Sequence, residues 1–264
     1  MNPIEGMKVI VTGAASGIGA AAAGLLLSRG ARVMAADLSQ VRIEEAAWRW
    51  RPAGVDVLIA HGFDVRSAAD CDRMAARAEA EWGAIDALVH CAGILRPPGA
   101  RPRPLYDLDE AEYEAVIGTN LKGTFLVNRA VLRSMLKRRS GQIVNLSSTS
   151  GRKGRPLDSL YSASKAGVIG LCESIAEEAR PYGIRVQAIL PDAVDTPLWR
   201  QNGILGSAPP EALPAVRVAE AIVWCLGLPL DTICENFVLM PVRTRGRRGA
   251  QLPEAPEKST ETER

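Results

Sequence analysis

Short apolar runs alternate along the chain with longer amphipathic stretches, and this alternation predicts the order of the secondary-structure elements. The apolar runs predict strands over residues 8–11, 32–36, 57–63, 87–91, 142–146, 185–190 and 236–240. The longer stretches predict helices over residues 20–30, 40–51, 68–82, 110–118, 124–139, 161–180 and 215–226. Because strands that alternate with helices are joined by right-handed crossovers, the pattern predicts an α/β protein with a doubly wound parallel sheet.

Length and composition restrict the class of protein further. The 264 residues, 47% of them hydrophobic, suit one large α/β domain. We interpret residues 1–242 as that single domain and residues 243–264, which have few large apolar side chains, as a flexible C-terminal tail. The 32 basic and 30 acidic residues are interspersed, so we expect a small-molecule partner and neither a nucleic acid nor a membrane.

The sequence contains no apolar stretch of the roughly 20 residues that a membrane helix needs, and its N-terminus has no basic segment before an apolar core. We therefore expect a cytoplasmic protein. Its five cysteines are widely spaced and contain no C-x-x-C pair, so we expect neither a disulfide framework nor a metal site.

A glycine-rich turn follows the first predicted strand and leads into the first helix, with the sequence Thr12-Gly13-Ala14-Ala15-Ser16-Gly17-Ile18-Gly19. Such a turn lets the backbone approach a pyrophosphate closely, and the free N–H groups at the helix start bind its negative charge. The pattern predicts a dinucleotide site that includes Gly13, Ser16, Gly17, Ile18 and Gly19.

The second predicted strand ends in Asp37, where a Rossmann-type fold places an acid that binds the adenosine ribose hydroxyls. A carboxylate there also repels a 2′-phosphate by about 1 to 4 kcal/mol. Neighbouring Leu38 and Ser16 carry no positive charge that could offset this repulsion. Asp37 therefore predicts NAD as the cofactor in preference to NADP.

Tyr161 and Lys165 lie four residues apart in a predicted helix, so their side chains share one face. Burial and a neighbouring cation act on such a phenol in opposite directions, and we expect the cation to lower its pKa. Ser148 follows the strand 142–146, which delivers its hydroxyl to the ligand-binding edge of the sheet. Together the three side chains predict a proton donor and acceptor beside a hydrogen-bonding hydroxyl.

With these motifs in order, the chain resembles the short-chain dehydrogenase/reductase family of the Tyr-x-x-x-Lys type, from about Met7 to Met240. The family's motifs fall on the glycine turn, on Asp64-Val65, and on Asn120, Ser148, Tyr161 and Lys165. The resemblance implies a Rossmann-type doubly wound sheet of about seven strands in the order 3-2-1-4-5-6-7 with helices on both faces. It also implies that residues 1–242 form an NAD-binding catalytic domain.

The resemblance further implies NAD-dependent interconversion of a secondary alcohol and a ketone. Tyr161 would be the general acid or base, Lys165 would hold the nicotinamide ribose and lower the pKa of Tyr161, Ser148 would bind the substrate oxygen, and Asn120 would hold a water. The implied cofactor contacts, besides the glycine turn and Asp37, are Asp64, Val65, Cys91, Ala92, Gly93, Tyr161, Lys165, Pro191, Val194 and Thr196. Similar proteins form dimers or tetramers through helices that correspond to 124–139 and 161–180.

Two positions depart from the family pattern. His90-Cys91 stands where Asn-Asn is common, and we expect His90 to pin backbone groups with a ring nitrogen while Cys91 packs. Asp192 stands where Gly is common, and we hypothesise that its charge lies near the nicotinamide and favours the oxidised cofactor.

The substrate side of the sequence is less specific. Residues 198–214 have no sustained period and are predicted to form a mobile lid with an apolar character. We hypothesise that one of Arg152, Lys153 and Arg155 meets a carboxylate or phosphate on the substrate. Two alternatives remain open: an NADPH-dependent ketoreductase resembling 3-oxoacyl-carrier-protein reductases, and a non-catalytic NAD(H)-binding sensor on the same fold.

Overall fold

The computed structural model describes residues 3–50, 57–229 and 231–242. Seven strands form one parallel sheet: β1 (Lys8–Thr12), β2 (Arg32–Asp37), β3 (Leu58–Gly62), β4 (Ala87–His90), β5 (Gly141–Leu146), β6 (Ile184–Pro191) and β9 (Phe237–Leu239). Their spatial order is β3-β2-β1-β4-β5-β6-β9. Two short strands, β7 (Val194–Asp195) and β8 (Leu213–Pro214), pair separately. The predicted fold and strand order are confirmed, with β9 as the seventh strand of the sheet.

Helices cover both faces of this sheet. The described residues form seven α-helices: α1 (Gly17–Ser28), α2 (Gln40–Trp50), α3 (Ala68–Trp82), α4 (Glu110–Ile117), α5 (Gly123–Arg138), α6 (Ser159–Ala179) and α7 (Ala215–Leu226). Val9 and Val11 of β1 pack with α1, α2 and α7, whereas Ile10 between them packs with α3, α5 and α6. This alternation is why the three central residues of the strand, 9–11, are all apolar.

The helix starts differ in how their N–H groups are satisfied. The Ser67 side chain caps α3 by accepting a hydrogen bond from Asp70 N, and Asp109 and Glu112 form a capping box at α4. At α1, the N-cap residue Ser16 makes no side-chain capping bond and the first turn contains no acid. The N-terminus of α1 therefore keeps its positive partial charge towards the carboxyl edge of the sheet.

The predicted break between the fourth and fifth helices is wrong. A π-helical segment, Gly118–Lys122, joins α4 to α5, and both flanking glycines have helical backbone angles. Gly123 allows this close packing, since a Cβ there would lie 2.8 Å from Val65 Cγ2. The wider turn places Asn120 in the interior, where it is fully buried.

The first helix begins three residues earlier than predicted, and the other boundaries move by a residue or two, as hydrogen bonding at element ends allows. The last residue of the predicted helix 40–51 and the tail 243–264 lie outside the described residues. In the ranges that the structure describes, no helix has the length and apolarity to cross a bilayer, and no three His, Cys, Asp or Glu side chains cluster as metal ligands.

Candidate active site

A cavity of about 650 Å³ runs along the carboxyl edge of the sheet. The glycine turn and the ends of β2, β4, β5 and β6 all contribute to its wall. The predicted site residues that line it are Gly13, Ser16, Gly17, Ile18, Gly19, Asp37, Asp64, Val65, Cys91, Ala92, Gly93, Ser148, Tyr161, Lys165, Pro191, Val194 and Thr196. Asn120 is the predicted residue that does not line it.

The turn between β1 and α1 has no room for larger residues. Gly13 has a φ of 66°, and a Cβ on it would lie 2.8 Å from Ala92 N. A Cβ on Gly19 would lie 2.3 Å from the carbonyl oxygen of Gly13. Because both neighbours are backbone atoms, they cannot move aside without reshaping the turn.

Asp37, the last residue of β2, faces this turn. Its Oδ2 accepts a hydrogen bond from Ala15 N at 3.0 Å, which fixes the carboxylate at the cavity wall. Arg42, in the first turn of α2, lines the same end of the cavity. The expected NAD preference rested on the uncharged neighbours Leu38 and Ser16 and did not include Arg42, which lies five residues after Asp37.

Asp64 and Val65 line the cavity beyond Asp37. Both carboxylate oxygens of Asp64 accept bonds from Arg66 Nε at 3.0 Å, and Arg66 Nη2 lies 2.7 Å from Oδ2. The side-chain bonds from Arg66 hold the pKa of Asp64 below its usual range. The Asp64 side chain is therefore occupied by a protein partner.

Tyr161, Lys165 and Ser148 meet at the other end of the cavity. Lys165 Nζ donates to the carbonyl oxygen of Leu146 at 2.7 Å and lies 5.7 Å from the centre of the Tyr161 ring. Ser148 lies close enough to the Tyr161 phenol to lower its pKa. The three predicted side chains are thus brought together by β5 and α6.

The expected lowering of the Tyr161 pKa by Lys165 is wrong for this structure. Burial raises the pKa of Tyr161 to about 12, and the neighbouring Ser148 offsets only part of that effect. Burial also lowers the pKa of Lys165 to about 8. The phenol is therefore neutral at physiological pH in this structure.

Ser148 is held at the junction of β5, β6 and α6. Its Oγ accepts a bond from Ser150 N at 3.1 Å and donates to the carbonyl oxygen of Pro191 at 3.4 Å. The neighbouring Ser147 Oγ donates to the carbonyl oxygen of Lys165 at 2.8 Å, which ties the strand end to α6. These bonds set the distance between Ser148 and the Tyr161 helix.

Asn120 lies behind the cavity wall. Its Oδ1 accepts from Ile94 N at 2.8 Å, and its Nδ2 donates to the carbonyl oxygen of Ile94 at 2.8 Å and to Ser164 Oγ at 3.0 Å. The side chain thereby links the loop after β4 to α6. The water-holding role implied for Asn120 stays a prediction.

His90 and Cys91 fill the positions that depart from the family pattern. His90 Nδ1 lies 2.8 Å from Thr12 Oγ1, and that hydroxyl accepts a bond from Ala92 N at 3.3 Å. Burial lowers the pKa of His90 to about 3 and raises that of Cys91 to about 12, so both side chains are neutral. The expected direct bond from His90 to a backbone group is wrong: Nδ1 meets the Thr12 hydroxyl, which itself holds the Ala92 N–H, and the buried Nε2 has no partner among the described residues.

Asp192 lines the cavity as a paired carboxylate, and the hypothesis that its charge favours the oxidised cofactor stays a prediction. Its Oδ1 forms an ion pair with Arg155 and accepts a hydrogen bond from Thr149 Oγ1 at 2.9 Å. A second ion pair, Arg96–Asp158, lies at the same end of the cavity. The sequence could not reveal either pair, because the partners are 37 and 62 residues apart.

Part of the segment predicted as a mobile lid without regular structure does form regular structure, whereas its mobility stays a prediction. It forms a 3-10 helix, Pro197–Leu205, and its last two residues pair as β8 with β7. Gln201 Oε1 accepts bonds from Leu95 N at 2.7 Å and Arg96 N at 3.1 Å, and Trp199 Nε1 donates to the carbonyl oxygen of Val194 at 2.8 Å. The Gln201 side chain thus holds this segment against the loop after β4, at the opening of the cavity.

Removing the Gln201 acceptor should make the loop at the opening of the cavity more mobile. We expect Gln201→Met, which keeps the side-chain length, to speed hydrogen exchange at the amides of Leu95 and Arg96 by about 5- to 30-fold, since each loses its partner. Gln201→Glu retains an acceptor oxygen and serves as the control. Equal exchange rates in both variants would show that Gln201 does not hold this loop in place.

Comparisons with known proteins agree with this geometry. A family model described as short chain dehydrogenase matches residues 7–203. The chain is 43% identical over 189 residues to cis-4-hydroxycyclohexanecarboxylate dehydrogenase of Sinomonas cyclohexanicum, covering 72% of this chain and 74% of the relative. It is 37% identical over 197 residues to the 3-oxoacyl-(acyl-carrier-protein) reductase of Thermotoga maritima, covering 74% of this chain and 77% of the relative.

Among solved structures, the fold matches 3-ketoacyl-(acyl-carrier-protein) reductase from Brucella melitensis complexed with NADH. The TM-score is 0.80 at 26% identity, and the match covers 91% of this chain and 99% of that one. The chain therefore belongs to the short chain dehydrogenase family, whose members are oxidoreductases of alcohols and ketones that use NAD or NADP.

Proposed function

We propose that this chain is an NAD-dependent oxidoreductase that interconverts a secondary alcohol and a ketone by hydride transfer, with Tyr161 as the general acid and base. The observation that carries the proposal is the meeting of Tyr161, Ser148 and Lys165 at one end of a cavity whose other end holds Asp37 and the glycine turn. One cavity thereby contains both the candidate proton-transfer side chains and the turn proposed to bind the dinucleotide.

The residues present fit a nicotinamide dinucleotide, which when bound supplies the hydride donor or acceptor. The turn from Gly13 to Gly19 excludes a Cβ at both ends, and the uncapped start of α1 favours a pyrophosphate. Asp37 would bind the adenosine ribose, and Lys165 the nicotinamide ribose. The remaining contacts proposed for the cofactor are Asp64, Val65, Cys91, Ala92, Gly93, Tyr161, Pro191, Val194 and Thr196.

The chain's own residues would handle the proton. Burial keeps the Tyr161 phenol protonated, which is the form that donates to a carbonyl oxygen during reduction. In the reverse direction only the phenolate form of Tyr161 could take the alcohol proton, so the phenol would first have to lose its own proton, a loss that the neighbouring Lys165 ammonium would favour. Ser148, which lies beside Tyr161 at the cavity wall, would bind the same substrate oxygen and stabilise its developing charge.

Lys165 is placed to support both steps. Its buried ammonium compensates negative charge on the phenol oxygen, and a pKa lowered to about 8 lets it exchange protons near neutral pH. Its bond to Leu146 O fixes it against β5. We propose that Asn120 supports the relay of protons from Lys165 to solvent. Its side chain is held by hydrogen bonds to Ile94 N and Ser164 Oγ.

The first experiment is a fluorescence titration of the purified protein with NADH and NADPH, followed by absorbance assays with NAD and a panel of secondary alcohols. Tight NADH binding, weak NADPH binding and turnover of an alcohol are expected. A preference for NADPH would instead favour a ketoreductase like the acyl-carrier-protein relatives, for which Arg42 at the adenosine end is the supporting observation.

Asp37 should set the cofactor preference. We expect Asp37→Ala to shift the ratio of the NADH and NADPH dissociation constants towards NADPH by at least about tenfold, because the like-charge repulsion disappears. Glu45→Ala, an exposed acid on α2 outside the cavity, is the matched control. An unchanged ratio in Asp37→Ala would remove the basis for an NAD preference.

We also propose that copies of this chain associate as a dimer or tetramer through α5 and α6, the helices implied by the family resemblance. Phe125 on α5 is 44% exposed and would offer apolar surface to a second copy. Light scattering of the purified protein would give the mass of the assembly, and a monomer would contradict the proposal.

A further inference from the structure

Two ion pairs dominate the charges at the Tyr161 end of the cavity. Arg96 and Asp158 form the inner pair, with side chains 9% and 23% exposed. Arg155 and Asp192 form the outer pair, with side chains 35% and 19% exposed. Arg155 is thus the most accessible charge of the four, and it lines the cavity whereas Arg96 does not.

Arg155 is clamped on one side. Its Nη2 bonds Asp192 and lies 3.5 Å from Thr149 Oγ1, and its own backbone N–H donates to Ser162 Oγ at 3.3 Å. In the part of the chain that the structure describes, these contacts use one nitrogen of the guanidinium. The other N–H donors stay available on a side chain that Asp192 and Thr149 hold in place.

The other cation at this end is not available in the same way. Lys165 is buried and donates to Leu146 O. The lining of the cavity also includes the apolar residues Leu95, Pro97, Leu198 and Trp199. The substrate end therefore combines one oriented, accessible guanidinium with an apolar surface, close to the phenol that Arg155 already affects electrostatically.

We infer that the substrate is a hydroxy acid or keto acid whose carboxylate binds Arg155 while its alcohol or ketone oxygen lies at Ser148 and Tyr161. This inference rests on the proposed function. A planar carboxylate matches two N–H donors of a guanidinium. A phosphate dianion fits less well, because Asp192 and Asp158 lie beside the single accessible cation and would repel its second charge.

The test compares substrates that differ only in charge. The probes are 3-hydroxybutanoate and 4-hydroxycyclohexanecarboxylate, each assayed with NAD beside its neutral methyl ester. We expect kcat/KM to be at least about tenfold higher for an acid than for its ester, and Arg155→Met to reduce this ratio by about 10- to 100-fold. Because both substrates use the same Tyr161, the ratio cancels any effect of Arg155 on that phenol.

Three further variants separate recognition from structural damage. Lys153→Met removes an exposed cation of the same loop that does not line the cavity, and should leave the ratio unchanged. Arg155→Lys should restore part of the preference. Arg155→Met with Asp192→Asn removes the pair without leaving an unpaired carboxylate, and should lose the preference as Arg155→Met does.

The outcomes are distinguishable from failure of the proposed function. If neutral alcohols turn over but acids do not, or if Arg155→Met lowers acid and ester kcat/KM equally, the carboxylate inference is wrong and the dehydrogenase proposal stands. If phosphorylated alcohols are preferred over the acids, the anion is a phosphate and the inference is also wrong. If no alcohol of any kind turns over, the proposed function fails and the inference fails with it.

Discussion

Tyr161→Phe is expected to lower kcat by about 10²- to 10⁴-fold while the dissociation constant for NADH stays within about threefold of the wild type. The substitution removes one oxygen, which is the atom that would exchange a proton with the substrate, and keeps the ring that packs beside Lys165. Steady-state kinetics and a fluorescence titration on the same preparation measure the two quantities.

Tyr182→Phe is the matched control for this variant. Tyr182 lies after α6 and is 41% exposed. The centre of its ring is 5.1 Å from Arg139 Cζ. The Tyr182→Phe variant should lose no turnover. A wild-type protein that binds NADH but oxidises or reduces nothing would support the sensor alternative, and full turnover in Tyr161→Phe would exclude Tyr161 as the acid and base.

The second large effect is expected at Gly19. Gly19→Ala should weaken NADH binding by at least about 100-fold, because the new methyl group would lie 2.3 Å from Gly13 O and force the turn away from its pyrophosphate-binding shape. Thermal unfolding should show a loss of about 1 to 3 kcal/mol from the same overpacking.

Gly24→Ala gives the comparison within the same helix. A Cβ at Gly24 would lie 3.2 Å from atoms of the Trp50 side chain, which can shift, and alanine favours a helix interior more than glycine does. NADH binding in this variant should stay within a few-fold of the wild type. If Gly19→Ala bound NADH equally well, the turn would not be the pyrophosphate site.

Features fixed by local chemistry could be predicted from the sequence. The glycine turn needs residues without a Cβ, and the helical spacing of Tyr161 and Lys165 puts them on one face, so both motifs are visible before folding. The strand order follows from alternating elements and from the family resemblance, and the parallel sheet confirms it. The pairing of β7 with β8 could not be predicted, because a strand of two residues is too short to show an alternation of apolar and polar positions.

Features that depend on contacts between distant residues could not be predicted. The pKa of Tyr161 depends on how deeply the phenol is buried, which no spacing reveals, and the sign expected from Lys165 alone was wrong. The pairing of Asp192 with Arg155 and the hydrogen bonds to Gln201 join segments far apart in the chain. Arg42 is visible in the sequence as a cation five residues after Asp37, but the expected cofactor preference rested on Leu38 and Ser16 alone.

The uncapped start of α1 has a consequence for the lifetime of the protein. Where α3 and α4 carry their own capping side chains, α1 leaves its first N–H groups to whatever anion occupies the turn. A bound dinucleotide would therefore complete the first helix, and at 100 times its dissociation constant it would add about 2.7 kcal/mol to the free energy of unfolding. The rate at which proteases degrade this protein would then depend on the concentration of the dinucleotide. At a low dinucleotide concentration the amount of the protein would fall, and not only its turnover.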